Sequence, residues 1–167
     1  TFVSLLHATQ AIPLFKESSM HIRDICKRSI VTCKRTTTAL DIALLMRDSH
    51  VGHVVVVDSD NGGPVPVGIV TDRDLIVRVM AAGLQPHAVC ASDLIGGALD
   101  TVLESESVYD AVWHMRRRGI SRLPVVDEQG RLRGMLSKDD LTTFLARELT
   151  EASAVAPHEV RLAEATT

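Results

Sequence analysis

Apolar residues in the first half of the chain follow a helical pattern and then an extended one. Residues 38–48 carry apolar side chains at helical spacing, which predicts an amphipathic helix with one face formed by Ala39, Ile42, Ala43 and Met46. The run VVVV at 54–57 is typical of a strand buried on both faces. After a polar loop, VGIV at 67–70 predicts another strand. A final helix is predicted from Thr71 to about Ala82, with Gly83 as its C′ residue.

The second half of the chain repeats this order. A helix is predicted over 107–118, with one face formed by Val108, Ala111, Val112 and Met115. Strands are predicted at LPVV (123–126) and RGML (133–136), and a last helix from Ser137 to about Arg147. A short strand is predicted before the first helix of each half, near 30–33 and 99–102.

The two halves align as an internal repeat. A shift of 69 residues places GHVVVVD (52–58) on SRLPVVD (121–127). The shift then becomes 66, because the first polar loop is three residues longer, and GIVTDRDL (68–75) falls on GMLSKDDL (134–141). One β-α-β-β-α unit would expose one face of its small sheet. We therefore expect an α/β (α+β) fold in which two such units pack sheet to sheet around a pseudo-two-fold axis.

The repeat divides the chain into segments. The first repeat is expected over 20–83 and the second over 89–149, joined by a linker at 84–88. Residues 1–19 are expected to lie outside the core, and the competing view is a segment that packs on a neighbouring molecule. Residues 150–167 are expected to form a frayed or dimer-linked tail.

Composition and charge exclude several functions. Aromatic residues make up only 3% of the chain, which disfavours a base-stacking nucleic-acid surface. The net charge of −3 argues against a general electrostatic grip on DNA or on an anionic membrane. The chain lacks a run of 18 apolar residues, and its apolar first residues lack a preceding basic segment and an A-x-A site. A cytoplasmic protein is therefore expected.

The cysteines do not form a metal-binding pattern. Cys26, Cys33 and Cys90 include no C-x-x-C spacing, and only His21 lies close to Cys26 and Cys33 in sequence. Free or buried thiols in a reducing cytosol are expected, and a Cys26–Cys33 redox pair is the alternative. G-x-S-x-G, P-loop and H-E-x-x-H motifs are also lacking.

A hydroxyl residue followed by aspartate three positions later begins the final helix of each repeat. Thr71 and Asp74 in the first repeat match Ser137 and Asp140 in the second. This spacing is that of a capping box. It also suits a ligand, because a carboxylate offers acceptor oxygens for the two hydroxyls of a ribose, and free amides of a first helical turn suit phosphate. The preceding glycines, Gly68 and Gly134, would then let a ligand approach the backbone.

These residues carry a family resemblance. LPVVD (123–127), VVVVD (54–58), GIVTDRDL and GMLSKDDL, in this order, resemble a tandem of CBS domains, small regulatory modules named after cystathionine β-synthase. The resemblance implies two equivalent clefts between the repeats and a disc-like dimer of two modules. It also implies an adenosyl ligand, namely AMP, ADP, ATP or NAD, with S-adenosylmethionine less expected.

The resemblance further implies two sets of site residues. In the first cleft, adenine would lie against one repeat and face the capping residues of the other, a set formed by Ile30, Val31, Thr32, Val51, Gly52, Ser137 and Asp140. The second cleft would use Leu99, Asp100, Thr101, Ile120, Ser121, Thr71 and Asp74. Phosphates would meet His53, Arg122, Arg73 and Lys138. Because Asp100 stands where the first repeat has Val31, the two clefts are expected to differ in ligand or affinity.

The resemblance implies a non-catalytic sensor that passes its ligand occupancy to an effector protein in trans or across its own homodimer. A structural dimerisation module with empty clefts is the alternative. An enzyme is not expected, because the paired carboxylates Asp139–Asp140 and Asp72/Asp74 are explained by capping. Nucleic-acid and membrane partners are not expected either.

Overall fold

The computed structural model describes residues 20–60 and 62–154. It contains two three-stranded sheets, the first made of β1 (Thr32–Cys33), β2 (His53–Asp60) and β3 (Gly63–Thr71), and the second of β4 (Val102–Leu103), β5 (Arg122–Val126) and β6 (Leu132–Ser137). In each sheet the short leading strand runs parallel to the central strand, which pairs antiparallel with the third. β3 and β6 are in contact. The predicted mixed α/β fold with two repeated units is confirmed.

The helices follow the same repeat. They are α1 (Ile22–Ile25), α2 (Ala39–Ser49), α3 (Asp72–Asp74), α4 (Ala91–Leu94), α5 (Val108–Arg118) and α6 (Lys138–Ser153), and α3 continues as a π-helical stretch, Leu75–Met80. α2 and α5 agree with the predicted helices. The predicted end of α6 near Arg147 is six residues too early, whereas the first repeat's helix ends close to the predicted position.

The sequence analysis missed the two short helices, and these join the repeats. Ile22 of α1 is fully buried in the core of the second repeat, beside Leu123. Ala91 and Leu94 of α4 are buried in the core of the first repeat. The two repeats therefore exchange their leading segments, and neither core is complete without residues from the other repeat.

The exchanged segments explain why glycine stands at two positions where the sequence analysis expects a ligand to approach the backbone. A Cβ on Gly134 would lie 2.7 Å from Cys26 Sγ and 3.1 Å from the Lys27 carbonyl oxygen. A Cβ on Gly68 would lie 2.6 Å from Ile95 Cβ. The expectation that these glycines admit a ligand is therefore corrected: the atoms that approach them belong to the leading segment of the other repeat.

The central strands form the two cores. Val54, Val55 and Val56 are fully buried, as expected for a strand covered on both faces. The predicted helical faces are too wide, because a three-stranded sheet covers only a narrow stripe of each helix. Ala43 of α2 is exposed, and Val112 of α5 is 38% exposed.

The cysteines lie apart and are free thiols. Cys33 is buried in the core of the first repeat, whereas Cys26 packs against the core of the second, so the alternative of a Cys26–Cys33 pair is not met. Burial raises the pKa of both thiols. Within residues 20–60 and 62–154, no cluster of three or more His, Cys, Asp or Glu side chains could hold a metal ion. No described helix is long and apolar enough to cross a membrane. The segments predicted over 1–19 and beyond 154 lie outside the described residues.

Candidate functional site

Both hydroxyl–aspartate pairs form capping boxes. In the first repeat, the Thr71 amide donates to Asp74 Oδ2 (2.9 Å) and the Asp74 amide donates to Thr71 Oγ1 (3.3 Å). In the second, the Ser137 amide donates to Asp140 Oδ2 (2.9 Å) and the Asp140 amide to Ser137 Oγ (3.1 Å). Each hydroxyl also donates to the same Oδ2 atom. One carboxylate oxygen of each aspartate is therefore engaged by its own helix start.

Several first-turn amides are also engaged. The Asp72 amide donates to the Gly52 carbonyl oxygen (3.1 Å), and the Lys138 amide donates to that of Ser121 (2.8 Å). The Arg73 amide donates to Asp72 Oδ1 (2.8 Å). The expectation that first-turn amides are free for phosphate is therefore wrong for these three groups.

The first cavity, of about 200 Å³, lies between the leading segment of the first repeat and the helix start of the second. It is lined by Lys27, Ser29, Ile30, Val31, Val51, His53, Arg122, Met135, Ser137, Asp139 and Asp140. The structure thus brings together seven of the predicted residues, namely Ile30, Val31, Val51, His53, Arg122, Ser137 and Asp140. Thr32 and Gly52 are not among its lining residues. Its lining combines apolar side chains with carboxylates and cations.

Lys27 belongs to this cavity and was missed by the sequence analysis. Its Nζ atom lies 3.0 Å from Asp140 Oδ1. Its backbone exchanges two hydrogen bonds with Met135 of β6 (2.9 and 2.8 Å), which fixes the start of the side chain. Burial opposes ionisation of Asp140, but hydrogen bonds from Ser137 and Lys27 outweigh it, and the pKa of this carboxyl is lowered. The sequence does contain a signal for this residue. The repeat aligns Lys27 with Gly96, so that only the first of these two equivalent positions carries a cation.

His53 and Arg122 occupy equivalent positions at the start of β2 and β5. They pair across their sheets with Thr71 and Ser137, respectively. Burial lowers the pKa of His53, the positive charge of Arg122 lowers it further, and Asp72 opposes the shift. His53 is therefore neutral near pH 7, whereas Arg122 is charged.

The second cavity, of about 190 Å³, is related to the first by the repeat. It is lined by Ile69, Gly96, Gly97, Ala98, Leu99, Asp100, Ile120 and Arg122. Leu99, Asp100 and Ile120 are predicted residues, whereas Thr71, Asp74, Thr101 and Ser121 are not among those that line it. Asp100 is tied to α5, because its Oδ1 atom lies 3.1 Å from Arg118 Nη2 and 3.4 Å from His114 Nε2.

Eight predicted residues line neither cavity, namely Thr32, Gly52, Thr71, Arg73, Asp74, Thr101, Ser121 and Lys138. Lys138 and Ser121 line a larger groove of about 450 Å³ between α5 and α6, together with apolar residues that include Val112 and Leu145. Arg73 is exposed and lines neither cavity. Lys138 directly follows Ser137, and successive residues of a helix project about 100° apart, so its side chain enters the groove between α5 and α6 while Ser137 and Asp140 line the first cavity.

The CBS domain model matches the chain twice, at residues 22–81 and 89–147. The chain is 37% identical over 123 residues to the protein MK0525 of Methanopyrus kandleri, a match that covers 74% of this chain and 61% of that protein. The chain therefore spans less than two thirds of the length of that relative.

Two solved structures share the fold. The CBS domain protein PAE2072 from Pyrobaculum aerophilum, complexed with AMP, is 32% identical with a TM-score of 0.68, over 81% of this chain and 100% of that one. The structure of Hypoxic Response Protein I contains two coordinated zinc ions. That protein is 27% identical with a TM-score of 0.65, over 74% of this chain and 97% of that one. A protein of this name from Mycobacterium tuberculosis is also among the relatives that are similar in sequence.

Proposed function

Because the chain belongs to the CBS-domain family, we propose that it is a non-catalytic regulatory module that binds an adenine nucleotide between its repeats. One observation carries the proposal: the first cavity combines an apolar wall with a hydroxyl–carboxylate pair and an arginine. The AMP complex of the similar Pyrobaculum aerophilum protein supports it. The ligand is AMP, ADP, ATP or NAD, with S-adenosylmethionine less expected.

Each part of the first cavity suits one part of such a ligand. Adenine would pack against Ile30, Val31 and Val51, where apolar contact lowers its exposure to water. A ribose hydroxyl would donate to Asp140 Oδ1, since Oδ2 is engaged by the helix cap. Phosphate would meet Arg122, whose guanidinium can donate two parallel hydrogen bonds.

The second cavity is proposed as the weaker site. It has an apolar wall at Leu99 and Ile120, and it shares Arg122 with the first cavity. Asp74 and Thr71 do not line it, so a ribose there would require a shift of β3 or of the leading segment. Thr32, Gly52, Thr101, Ser121, Arg73 and Lys138 are not assigned to either ligand.

Occupancy would be signalled through the exchanged segments. The first cavity is built from the leading segment of one repeat and the helix start of the other, so a ligand that prefers one arrangement of the repeats shifts their equilibrium. The readout would be an effector protein in trans or a second copy of the chain, in the cytoplasm.

A homodimer is proposed through the exposed sides of α2 and α5. These two helices carry apolar side chains that are 37–80% exposed, namely Leu40, Leu44, Tyr109, Val112 and Trp113. The two helices are equivalent in the repeat, so a second copy would meet a pseudo-symmetric surface. Exposed apolar side chains at helical spacing along one side of a helix are typical of association sites.

Thermal unfolding against a ligand panel tests nucleotide binding. AMP, ADP, ATP, NAD and S-adenosylmethionine are compared, with GMP as the control. A ligand at 100 times its Kd stabilises the folded protein by about 2.7 kcal/mol, which gives a clear rise in Tm.

Two matched variants assign the cavity. Asp140→Asn and Asp74→Asn alter equivalent helix caps, so both lower Tm without ligand, but only Asp140→Asn is expected to abolish the ligand-induced rise. No rise with any adenosyl compound would refute the proposal and favour a structural dimerisation module with empty clefts. Release of phosphate during incubation would indicate an enzyme instead.

A further inference from the structure

The two cavities differ in their basic residues at one pair of equivalent positions. The shift of 69 residues places Lys27 on Gly96, and both residues line their cavities. Lys27, His53 and Arg122 line the first cavity, whereas Arg122 is the only basic residue among the described residues that line the second. The second cavity carries Asp100 instead.

Lys27 engages the carboxylate oxygen that the helix cap leaves over. Asp140 Oδ2 is held by the amide of Ser137 at 2.9 Å, and Oδ1 faces Lys27 Nζ at 3.0 Å. Oδ2 already accepts from the amide and the hydroxyl of Ser137, so the two adjacent hydroxyls of a ribose can both donate to Asp140 only through Oδ1, which accepts two hydrogen bonds and therefore requires the ammonium group to move. A nucleoside without phosphate would break this ion pair and give the ammonium no new partner.

The ammonium group is free to move. The Lys27 side chain is 72% exposed, whereas that of Asp140 is 11% exposed. Hydrogen bonds to Met135 fix the Lys27 backbone beside the cavity. The flexible side chain of Lys27 can therefore change its rotamer while its Cα atom stays in place. Ion pairs with one exposed partner are weak, and an anionic phosphate offers the ammonium group a stronger one.

We propose that Lys27 makes the first cavity selective for phosphorylated adenosines, by leaving Asp140 for the ligand's phosphate as the ribose takes its place. The second cavity, with Gly96 at the equivalent position, lacks this preference. The inference rests on the proposed nucleotide binding and adds the residue that reads the phosphate.

Calorimetric titration of AMP and of adenosine tests the inference. Lys27→Met keeps the stem and removes the charge, and we expect it to weaken AMP binding by about tenfold or more, the range for a hydrogen bond to a charged group. Adenosine binding should stay equal or improve, because Asp140 Oδ1 is released.

Arg28→Met is the matched control. Arg28 has the same charge, follows Lys27 directly and does not line the cavity, and its guanidinium lies 3.8 Å from Glu104 Oε2. We expect Arg28→Met to change neither affinity beyond about twofold, well inside the effect of a lost charged hydrogen bond.

The outcomes separate the two proposals. If the wild-type protein binds neither AMP nor adenosine, the proposed function fails and the inference with it. If the wild type binds both compounds and Lys27→Met weakens them equally, or leaves AMP unaffected, nucleotide binding stands and the role of Lys27 is refuted.

Discussion

Gly68 of β3 lies directly against Ile95, so that a Cβ on the glycine would come within 2.6 Å of Ile95 Cβ. Ile95 follows α4, the segment that the second repeat contributes to the first core. The contact at Gly68, like that at Gly134, therefore records how closely the exchanged segments approach the sheets.

We expect Gly68→Ala to lower the free energy of unfolding by about 1–3 kcal/mol, because Ile95 is branched at Cβ and cannot rotate out of contact. Urea denaturation measures this change. Gly96→Ala is the control, since a Cβ there meets no atom within 4 Å, and its effect should stay within about 0.5 kcal/mol. If both variants lose the same free energy of unfolding, the close approach at Gly68 does not affect stability.

Asp127 is expected to stabilise the fold at neutral pH. Its side chain is buried and accepts hydrogen bonds from the amides of Arg131 (2.9 Å) and Gln129 (3.0 Å) and from Arg133 Nε (3.0 Å), and Arg133 Nη2 also lies 2.8 Å from Asp127 Oδ2. The amide of Arg131 is the largest of the causes that lower the pKa of this carboxyl. A lowered folded pKa means that the contribution is present above the unfolded pKa of about 3.9 and is lost as pH falls through the folded pKa.

The variant Asp127→Asn should therefore be less stable than the wild type at pH 7, with a difference that narrows below about pH 4. Thermal unfolding at a series of pH values measures it. Asp58→Asn is the matched control, because Asp58 is the equivalent residue and pairs with Arg35 on the surface. A difference between Asp127→Asn and wild type that is constant with pH would contradict the assignment.

His53 should make the fold less stable in mild acid. Burial, Arg122 and Lys27 lower its pKa, and Asp72 opposes them, so the unfolded chain binds a proton more readily than the folded one. The contribution of the neutral imidazole is lost as pH falls below the unfolded value of about 6.5. His53→Gln should lose less stability than the wild type between pH 7.5 and pH 5.5, as measured by urea denaturation. Parallel losses would rule out His53 as the titrating group.

Trp113 is expected to lie at a homodimer interface. Its side chain is 59% exposed on α5, beside Tyr109 at 80% and Val112 at 38%. We expect Trp113→Glu to convert a dimer to a monomer, because the interface loses the apolar ring and desolvation of a carboxylate is costly even beside Arg117, which lies over this ring. Light scattering after gel filtration measures the mass. Leu149→Glu, at an apolar residue of α6 that is 71% exposed, should leave the dimer intact. A monomeric wild-type protein would refute the interface.

The local parts of the fold were predictable from sequence. The shift of 69 residues, the alternation of helical and extended patterns and the two hydroxyl–aspartate pairs led to α2, α5, the central strands and both capping boxes. These features depend on contacts within a few residues, which periodicity and capping chemistry report directly.

The exchange of segments was not predictable in this way. α1 and α4 each contain four residues, too few for a helical period to appear. The pattern shows that Ile22 and Leu94 are apolar, but packing over long sequence separations decides which core each of them enters.

For the candidate site, too, some features follow from the sequence and others depend on long-range packing. The sequence by itself determined the repeat, the helix caps and, through the family resemblance, the apolar wall of the first cavity. Only the tertiary structure decided that Lys27 faces Asp140 and that Lys138 lines a different groove. The physical reason is that a side chain's neighbours across a cavity depend on where the backbone of the other repeat lies. Here the bridge between Lys27 and Met135 sets that position.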